Sequence, residues 1–226
     1  MHIIMKEMFD FFERLHNNNN RPWFMEHKAE YQAIREEWIR GIGRCIASLA
    51  ADWPEVRYLD PARATYRIYR DVRFSNDKTP YKDYISSSIT PPALFKSHIG
   101  IYVQAGFEKA DTGIYGGIWA PEAPELRKIR KAIVDNSEEW LEIVNAPDLL
   151  RVFGADWCGD RLKTAPKGYD RDHPLVEYLR LKDIGKQAVL PRGVFADPAW
   201  PEILADRMRP LLPLNRFLIY TLYEED

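Results

Sequence analysis

Four segments rich in β-branched and aromatic residues follow one another through the middle of the chain, with no helical pattern between them. They are 65–74, 85–89, 97–105 and 114–119, and the third alternates isoleucine and valine with other residues as a half-buried strand does. A parallel pair of strands needs a crossover of about a dozen residues or more, usually a helix. The sequence therefore predicts a central, mainly antiparallel sheet.

Helical patterns flank this region on both sides. Apolar residues recur at helical spacing over 5–16 and again from Phe24 to Leu49, where one long helix with Asn20 as its cap is expected. Helical patterns return after Pro121 and reach the C-terminal part of the chain, interrupted by an aperiodic stretch over 155–173 that predicts a long loop. We expect a helix from Pro174 to about Lys182 to follow that loop.

The order of these elements predicts an α+β fold. A central, mainly antiparallel sheet would be packed by N-terminal and C-terminal helices. The 226 residues are enough to bury a substantial core, and no linker-like or repetitive stretch divides them. We therefore expect a single domain over residues 1–226.

The overall charge argues against two classes of partner. With 32 basic and 34 acidic residues the formal net charge is −2, so no global positive field would draw the chain onto nucleic acid or an anionic membrane. No stretch reaches the roughly 18 apolar residues of a membrane span, and the first residues do not resemble a signal peptide. Cys45 and Cys158 are expected to be reduced thiols. These features predict a soluble, cytoplasmic protein with no membrane partner and leave its oligomeric state open.

Positive charge is concentrated between Thr65 and Lys82, where the local net charge is +3. If 65–74 is a strand, Arg70 lies among apolar neighbours, and an unpaired guanidinium there would cost several kcal/mol to desolvate. Guanidinium groups bind carboxylates and phosphates in a bidentate way. The segment therefore favours a pocket for a small anionic, phosphate- or nucleotide-like ligand. Its candidate binding residues are Arg67, Arg70, Arg73, Lys78, Tyr81 and Lys82.

Two other interpretations of this segment stay open. Its aromatic residues, Tyr66, Tyr69, Phe74 and Tyr81, would stack on bases beside the basic residues if the segment is an RNA- or DNA-binding module. Alternatively, its arginines and aspartates pair with one another. The segment would then be a structural charge network, with the function elsewhere.

The sequence does not decide whether the protein is an enzyme, but three side chains are candidates for proton transfer. Asp71 and Asp77 lie among basic residues that would stabilise developing negative charge. His173 is the third candidate, because histidine is a common proton-transfer group near neutral pH, and a role at the start of the helix that follows is the alternative. The five histidines show no metal-ligand spacing, and no phosphate loop or dinucleotide motif is present. No metal and no cofactor are predicted.

The basic segment also carries a resemblance to a known family. From Arg70 to Lys82 it has the form Arg-Asp-x-Arg-Phe-Ser-x-Asp-Lys-x-Pro-Tyr-Lys, which resembles the signature of domain-of-unknown-function family 2461, a set of conserved hypothetical proteins. The likeness extends to the Asn-rich turn before Trp23-Phe24, to Tyr31, and to the stretches 113–117 and 165–174. It covers nearly the whole chain. The resemblance implies one continuous domain, but it implies no known activity and no catalytic residues.

Overall fold

A computed structural model describes residues 2–94, 97–108 and 112–223. Four strands form one antiparallel sheet in the order β1-β2-β3-β4. They are β1 (Tyr84–Ile89), β2 (Ile99–Gly106), β3 (Gly113–Ile118) and β4 (Ile184–Val189). Strands that follow one another in sequence are neighbours in the sheet, as expected when no helix crosses between β1, β2 and β3. The predicted α+β fold with a central antiparallel sheet is confirmed.

The helices lie before β1, between β3 and β4, and after β4. They are α1 (His2–Asn17), α2 (Arg21–Glu26), α3 (Lys28–Leu49), α4 (Pro61–Ala64), α5 (Ala123–Asp135), α6 (Ser137–Val144), α7 (Pro147–Phe153), α8 (Val176–Leu179), α9 (Trp200–Met208) and α10 (Leu212–Tyr223). Asn20 caps α2, since its side chain accepts a hydrogen bond from the backbone N–H of Trp23 at 3.1 Å. No helix among the described residues is long and apolar enough to cross a membrane.

Four details differ from the sequence-based expectation. The long second helix is divided at His27 into α2 and α3, and the helix expected over 174–182 is only the four-residue α8. The predicted strand over 65–74 is wrong, because this segment pairs only through isolated bridges. Strand β4 was not expected, because a glycine and a lysine interrupt its apolar pattern.

The chain divides into two compact units. The first comprises the described residues within Met1–Pro92, Tyr102–Ile114 and Val189–Arg207. Here α3 packs against α1, α4 and β1. Its Trp38 is fully buried, stacks on Phe195 and Trp200 at ring-centroid distances of 5.7 and 5.5 Å, and donates from Nε1 to Oγ of Ser87 at 2.8 Å. A large ring that also satisfies its N–H is a strong anchor for a helix on a strand.

The second unit comprises the described residues within Ala93–Ile101, Tyr115–Ala188 and Met208–Asp226. Its core joins one isoleucine from each of three strands, Ile99, Ile118 and Ile184, to Trp140 and to apolar residues of α5 and α10. Helices from the C-terminal part of the chain thus cover strand residues in this unit. The expectation of a single domain stays a prediction.

Candidate functional site

The basic segment forms an extended turn in the first unit. An outgoing arm (65–70) and a returning arm (80–87) are held together by two antiparallel bridges. Thr65 pairs with Ser87, and Tyr69 pairs with Tyr81. The backbone N–H of Arg70 donates to the carbonyl of Pro80 at 3.0 Å, where the exposed loop 71–79 begins and ends. Between the bridges, residues 66–68 face the longer stretch 82–86. This bulge prevents the regular alternation of faces that a strand would have.

Tyr81 and Asn19 fix the returning arm. The Asn19 amide donates to the carbonyl of Tyr81 at 2.9 Å and accepts from its N–H at 3.1 Å, so the side chain acts as a short strand partner. The ring of Tyr81 is buried and stacks on Phe24 with ring centroids 4.1 Å apart. The structure therefore packs this predicted ligand residue inward, and the Asn-rich turn contacts the end of the motif.

Arg70 is held inside the loop. Its Nη1 donates to Asp77 and to the hydroxyl of Thr79. Asp77 also accepts from the N–H of Thr79 at 2.9 Å and from its hydroxyl at 3.0 Å. These hydrogen bonds lower the pKa of Asp77 to about 2. The backbone N–H of Thr79 has the largest effect, followed by the side chains of Arg70 and Thr79. A carboxylate with so low a pKa is a weak general base at neutral pH.

Arg73 and Lys78 also have partners within the loop. The Arg73 guanidinium makes two hydrogen bonds to Asp71, at 2.6 and 3.0 Å, and these bonds hold the pKa of Asp71 below its usual value. Nζ of Lys78 donates to the carbonyl of Val72 at 2.9 Å. Both side chains of the Arg73–Asp71 pair are largely exposed, where solvent screening leaves an ion pair with little effect on stability. Three of the five basic side chains of the motif, those of Arg70, Arg73 and Lys78, therefore bind groups within the loop.

Arg67 and Lys82 differ from the other basic residues of the motif. Neither makes an ion pair with a carboxylate or donates a side-chain hydrogen bond within the described part of the chain, whereas Lys78 donates to a backbone carbonyl. Nζ of Lys82 lies 5.3 Å from the ring centroid of Tyr66 and 5.6 Å from that of Tyr84. Burial lowers the pKa of Lys82, and the positive charge of Arg67 lowers it further. These two residues leave a local positive charge without a carboxylate partner.

Sequence reasoning did not include Tyr84 in the site. It begins β1, two residues after Lys82. An alternating strand places residues two apart on one face. A predicted strand that began at Lys82 instead of residue 85 would therefore have placed Lys82 beside Tyr84. Asn19 could not have been found, because its contact with Tyr81 joins residues 62 positions apart.

An aromatic layer lies behind the motif. Tyr31 is buried against Phe11 and Phe24, at ring-centroid distances of 6.0 and 5.6 Å. Burial raises the pKa of Tyr31 to about 12, with Arg35 opposing the shift and Tyr69 adding to it. The phenol therefore stays neutral in the folded protein over a range in which it ionises in the unfolded chain.

The difference in the pKa of Tyr31 between the folded and unfolded chain predicts that the wild type loses more stability at high pH than Tyr31→Phe does. Between the usual pKa of 10.0 and about 12 the unfolded chain releases a proton that the folded chain keeps. The free energy of unfolding then falls by about 1.4 kcal/mol per pH unit from this group. Urea unfolding at pH 9 and pH 11.5 should show a steeper fall for the wild type than for Tyr31→Phe. Equal falls would contradict the burial of this phenol.

His173 lies in the second unit, just before α8. Its Nδ1 accepts a hydrogen bond from the N–H of Leu175 at 3.1 Å, and its ring meets Tyr169 edge-on at 6.1 Å. The Nδ1 contact is the local role at a helix start that the sequence allowed as an alternative to proton transfer. Among residues 2–94, 97–108 and 112–223, no group of three or more His, Cys, Asp or Glu side chains is placed to hold a metal ion.

Comparison with known proteins gives one match. A family model described as conserved hypothetical protein (DUF2461) matches residues 7–217. No curated protein and no solved structure matches the chain. The match spans both arms of the motif, the aromatic layer behind it and the loop that leads to His173.

Proposed function

This chain belongs to the DUF2461 family of conserved hypothetical proteins, and from that premise we propose that it binds a small anionic ligand between Arg67 and Lys82. The proposal keeps the predicted class of ligand, phosphate- or nucleotide-like. It narrows the predicted set of binding residues to the two basic side chains that have neither an ion-pair nor a hydrogen-bond partner in the described part of the chain.

The two positive charges that make no ion pair support this proposal most. Arg67 lies close enough to Lys82 to lower its pKa, so the two charges repel each other in the ligand-free protein. Lys82 is also half-buried, where an ammonium is less well solvated than in water. An anion placed between the two would remove the repulsion and restore the lost solvation. A structural ion-pair network would instead have supplied its own carboxylate, as the loop does for Arg70 and Arg73.

The surrounding rings favour a ligand with a flat part next to its anionic group. Tyr66 and Tyr84 flank Nζ of Lys82, and Tyr66 is 48% exposed, so part of its ring is open to a ligand. A guanidinium binds a phosphate through a fork of N–H groups, while an ammonium binds it as a point charge. A mononucleotide has both a phosphate and a flat base, and it suits this arrangement.

We propose binding at this site rather than a reaction. Asp71 and Asp77, the two acidic residues of the motif, are hydrogen bonded to Arg73 and Arg70, and both have a pKa below the usual value of a carboxyl. Taking a proton from a substrate would require each to give up its own partner. These two aspartates therefore lend little support to general-base catalysis.

A thermal-shift panel tests the proposal. We expect phosphate or a mononucleotide to raise the melting temperature of the wild type, and the corresponding neutral nucleoside to have no effect. A ligand at a hundred times its Kd stabilises the folded state by about 2.7 kcal/mol. Arg67→Gln and Lys82→Met should each make this shift clearly smaller. The matched controls Arg171→Gln and Lys163→Met change exposed basic residues of the second unit and should keep it.

Two results would contradict the proposal. One is that no anion in the panel shifts the wild type. The other is that the control variants lose the shift as completely as Arg67→Gln and Lys82→Met do, because the effect would then come from overall charge.

A specific observation also supports a nucleic-acid interface as a second candidate function. The ring of Phe74, near the middle of the loop 71–79, is 95% exposed, with the Arg73 guanidinium 5.8 Å from its centroid. Exposed rings beside basic residues are the surfaces on which single-stranded bases stack. The panel therefore includes a short oligonucleotide. A shift that falls steeply with salt and is lost in Phe74→Ala would favour this function over a small-molecule pocket.

We place this function in the cytoplasm as part of the same proposal. Cys45 and Cys158 are both buried and form no disulfide with each other, and burial raises the pKa of the Cys158 thiol to about 11. Buried thiols that resist ionisation are compatible with a reducing compartment.

A further inference from the structure

A positively charged cavity lies in the second unit, between α5 and the loop 166–169. Its volume is about 570 Å³, and three of its lining residues are basic, namely Arg127, Arg130 and Lys167. None of the residues that line it is acidic. Cavities of about 300–1,000 Å³ are of the size that holds small molecules. We refer to it below as the α5 cleft.

Arg130 forms the floor of the α5 cleft and is unusually placed. It is only 9% exposed. Its Nε donates to the carbonyl of Leu179 at 2.7 Å and its Nη2 to that of Leu181 at 3.1 Å. These two bonds fix the plane of the guanidinium, but carbonyl groups carry no net charge to balance it. Arg130 makes no ion pair with a described residue.

A buried guanidinium without a counter-charge is costly, and burial lowers the pKa of Arg130 accordingly. In a cavity open to solvent, an anionic ligand can supply the missing charge. The fixed plane favours an oxyanion, because the N–H groups of a guanidinium match two oxygens of one phosphate or carboxylate. The carbonyl bonds already immobilise the Arg130 guanidinium, which lowers the entropy cost of binding.

The walls of the α5 cleft add more charge and an apolar surface. Arg127 projects from α5, one turn before Arg130, and Lys167 comes from the facing loop; both are exposed. Tyr169 lies close enough to Arg130 for its phenol to affect the pKa of that residue. With Leu126 and Pro166, its ring provides the apolar contact that small-molecule sites usually combine with a few polar groups.

We propose that the α5 cleft binds a small phosphorylated molecule, with its phosphate at Arg130, Arg127 and Lys167 and its apolar or aromatic body against Tyr169. Three positive charges suit a dianionic phosphate monoester better than a single carboxylate. The loop that supplies Lys167 and Tyr169 belongs to the aperiodic stretch 155–173, where the sequence predicted a long loop. Long loops in compact proteins often carry binding residues. This site is separate from the one proposed at Arg67 and Lys82.

The test is calorimetric titration of the full chain with phenyl phosphate, inorganic phosphate and phenol. We expect phenyl phosphate to bind more tightly than phosphate, because its ring adds apolar contact, and phenol to bind weakly or not at all. Arg127→Gln and Lys167→Gln should each lower the affinity for phenyl phosphate by about tenfold, which is the effect of one lost hydrogen bond to a charged group. Both residues are exposed, so the variants are expected to fold, which circular dichroism would verify.

Two controls locate the effect. Lys163→Gln removes an exposed charge four residues before Lys167 in the same loop and should leave the affinity unchanged. The double variant Arg67→Gln/Lys82→Met removes the other proposed site and should still bind one equivalent of phenyl phosphate. Agreement with both controls would establish the α5 cleft independently of the proposed function.

Any of four results would overturn the inference. They are no saturable binding of phenyl phosphate by the wild type, equal affinity for phenol, an unchanged affinity in Arg127→Gln and Lys167→Gln, and an equal loss in Lys163→Gln. Loss of binding only in the double variant would assign the phosphate to the first unit and would likewise overturn the α5 cleft.

Discussion

Gly117→Ala is expected to lower the free energy of unfolding by about 4 kcal/mol or more, because it combines two costs. Gly117 lies in β3 with a φ of +131°, which residues with a side chain rarely adopt. A Cβ there would also fall on the carbonyl of Ile184 and the Cα of Gly185 in β4. These are backbone atoms of a paired strand, so they cannot move aside as a flexible side chain could.

Two other glycines separate the cost of the backbone conformation from the cost of the steric clash. Gly154 has a φ of +70° but open space where its Cβ would lie, so Gly154→Ala should cost about 1–2 kcal/mol for the backbone conformation alone. Gly193 has open space and no left-handed φ, so Gly193→Ala should change stability by about 0.5 kcal/mol or less. Urea unfolding followed by circular dichroism would rank the three variants. A Gly117→Ala variant no less stable than Gly154→Ala would refute the close approach of β3 and β4.

Lys186→Met is expected to lower the free energy of unfolding by about 3 kcal/mol or more. The side chain of Lys186 is 1% exposed, yet its ammonium donates to three backbone carbonyls, those of Gly154, Ala155 and Asp156, at 2.8–3.0 Å. The ring of Trp157 lies 4.5 Å from Nζ. Burial lowers the pKa of Lys186, but its three donors are all used. A methionine of similar length would leave the three carbonyls without their donor.

A neighbouring lysine is the control. Lys182 is exposed and pairs with Asp160 at 3.5 Å, so Lys182→Met should change stability by about 0.5 kcal/mol or less. Hydrogen exchange should also become faster at residues 154–158 in Lys186→Met and not in Lys182→Met, because the segment loses its anchor. Replacing a buried charge by an apolar group sometimes stabilises a protein. A Lys186→Met variant as stable as the wild type would show that the three carbonyls find other partners.

The order of helices and strands could be predicted because its signals are local. The apolar stripe that includes Trp38 has the spacing of a helix whatever it packs against. The strands β1, β2 and β3 follow one another too closely for helical crossovers, so their antiparallel pairing was also predictable. The break at His27 was not, since the stripe continues through both helices.

The basic motif could be located from composition, but its internal pairing could not be predicted. A strand over 65–74 would have placed Arg70 among apolar neighbours. The structure instead turns the chain at the loop 71–79, so Arg70 finds Asp77 within the loop. Which basic residue keeps a carboxylate partner depends on how the loop closes. That closure depends on Asn19 and Tyr81, whose contact joins two distant parts of the chain.

Strand β4 could not be predicted from the sequence alone. The sequence by itself determined the helical stripes, the three early strands and the place of the charged motif, because each depends on residues close together in the chain. Only the tertiary structure decided that Ile184–Val189 is a strand. A lysine in the middle of a segment normally predicts an exposed position. Lys186 is buried because the carbonyls of 154–156, some thirty residues earlier, surround its ammonium, and no local pattern encodes a partner at that distance.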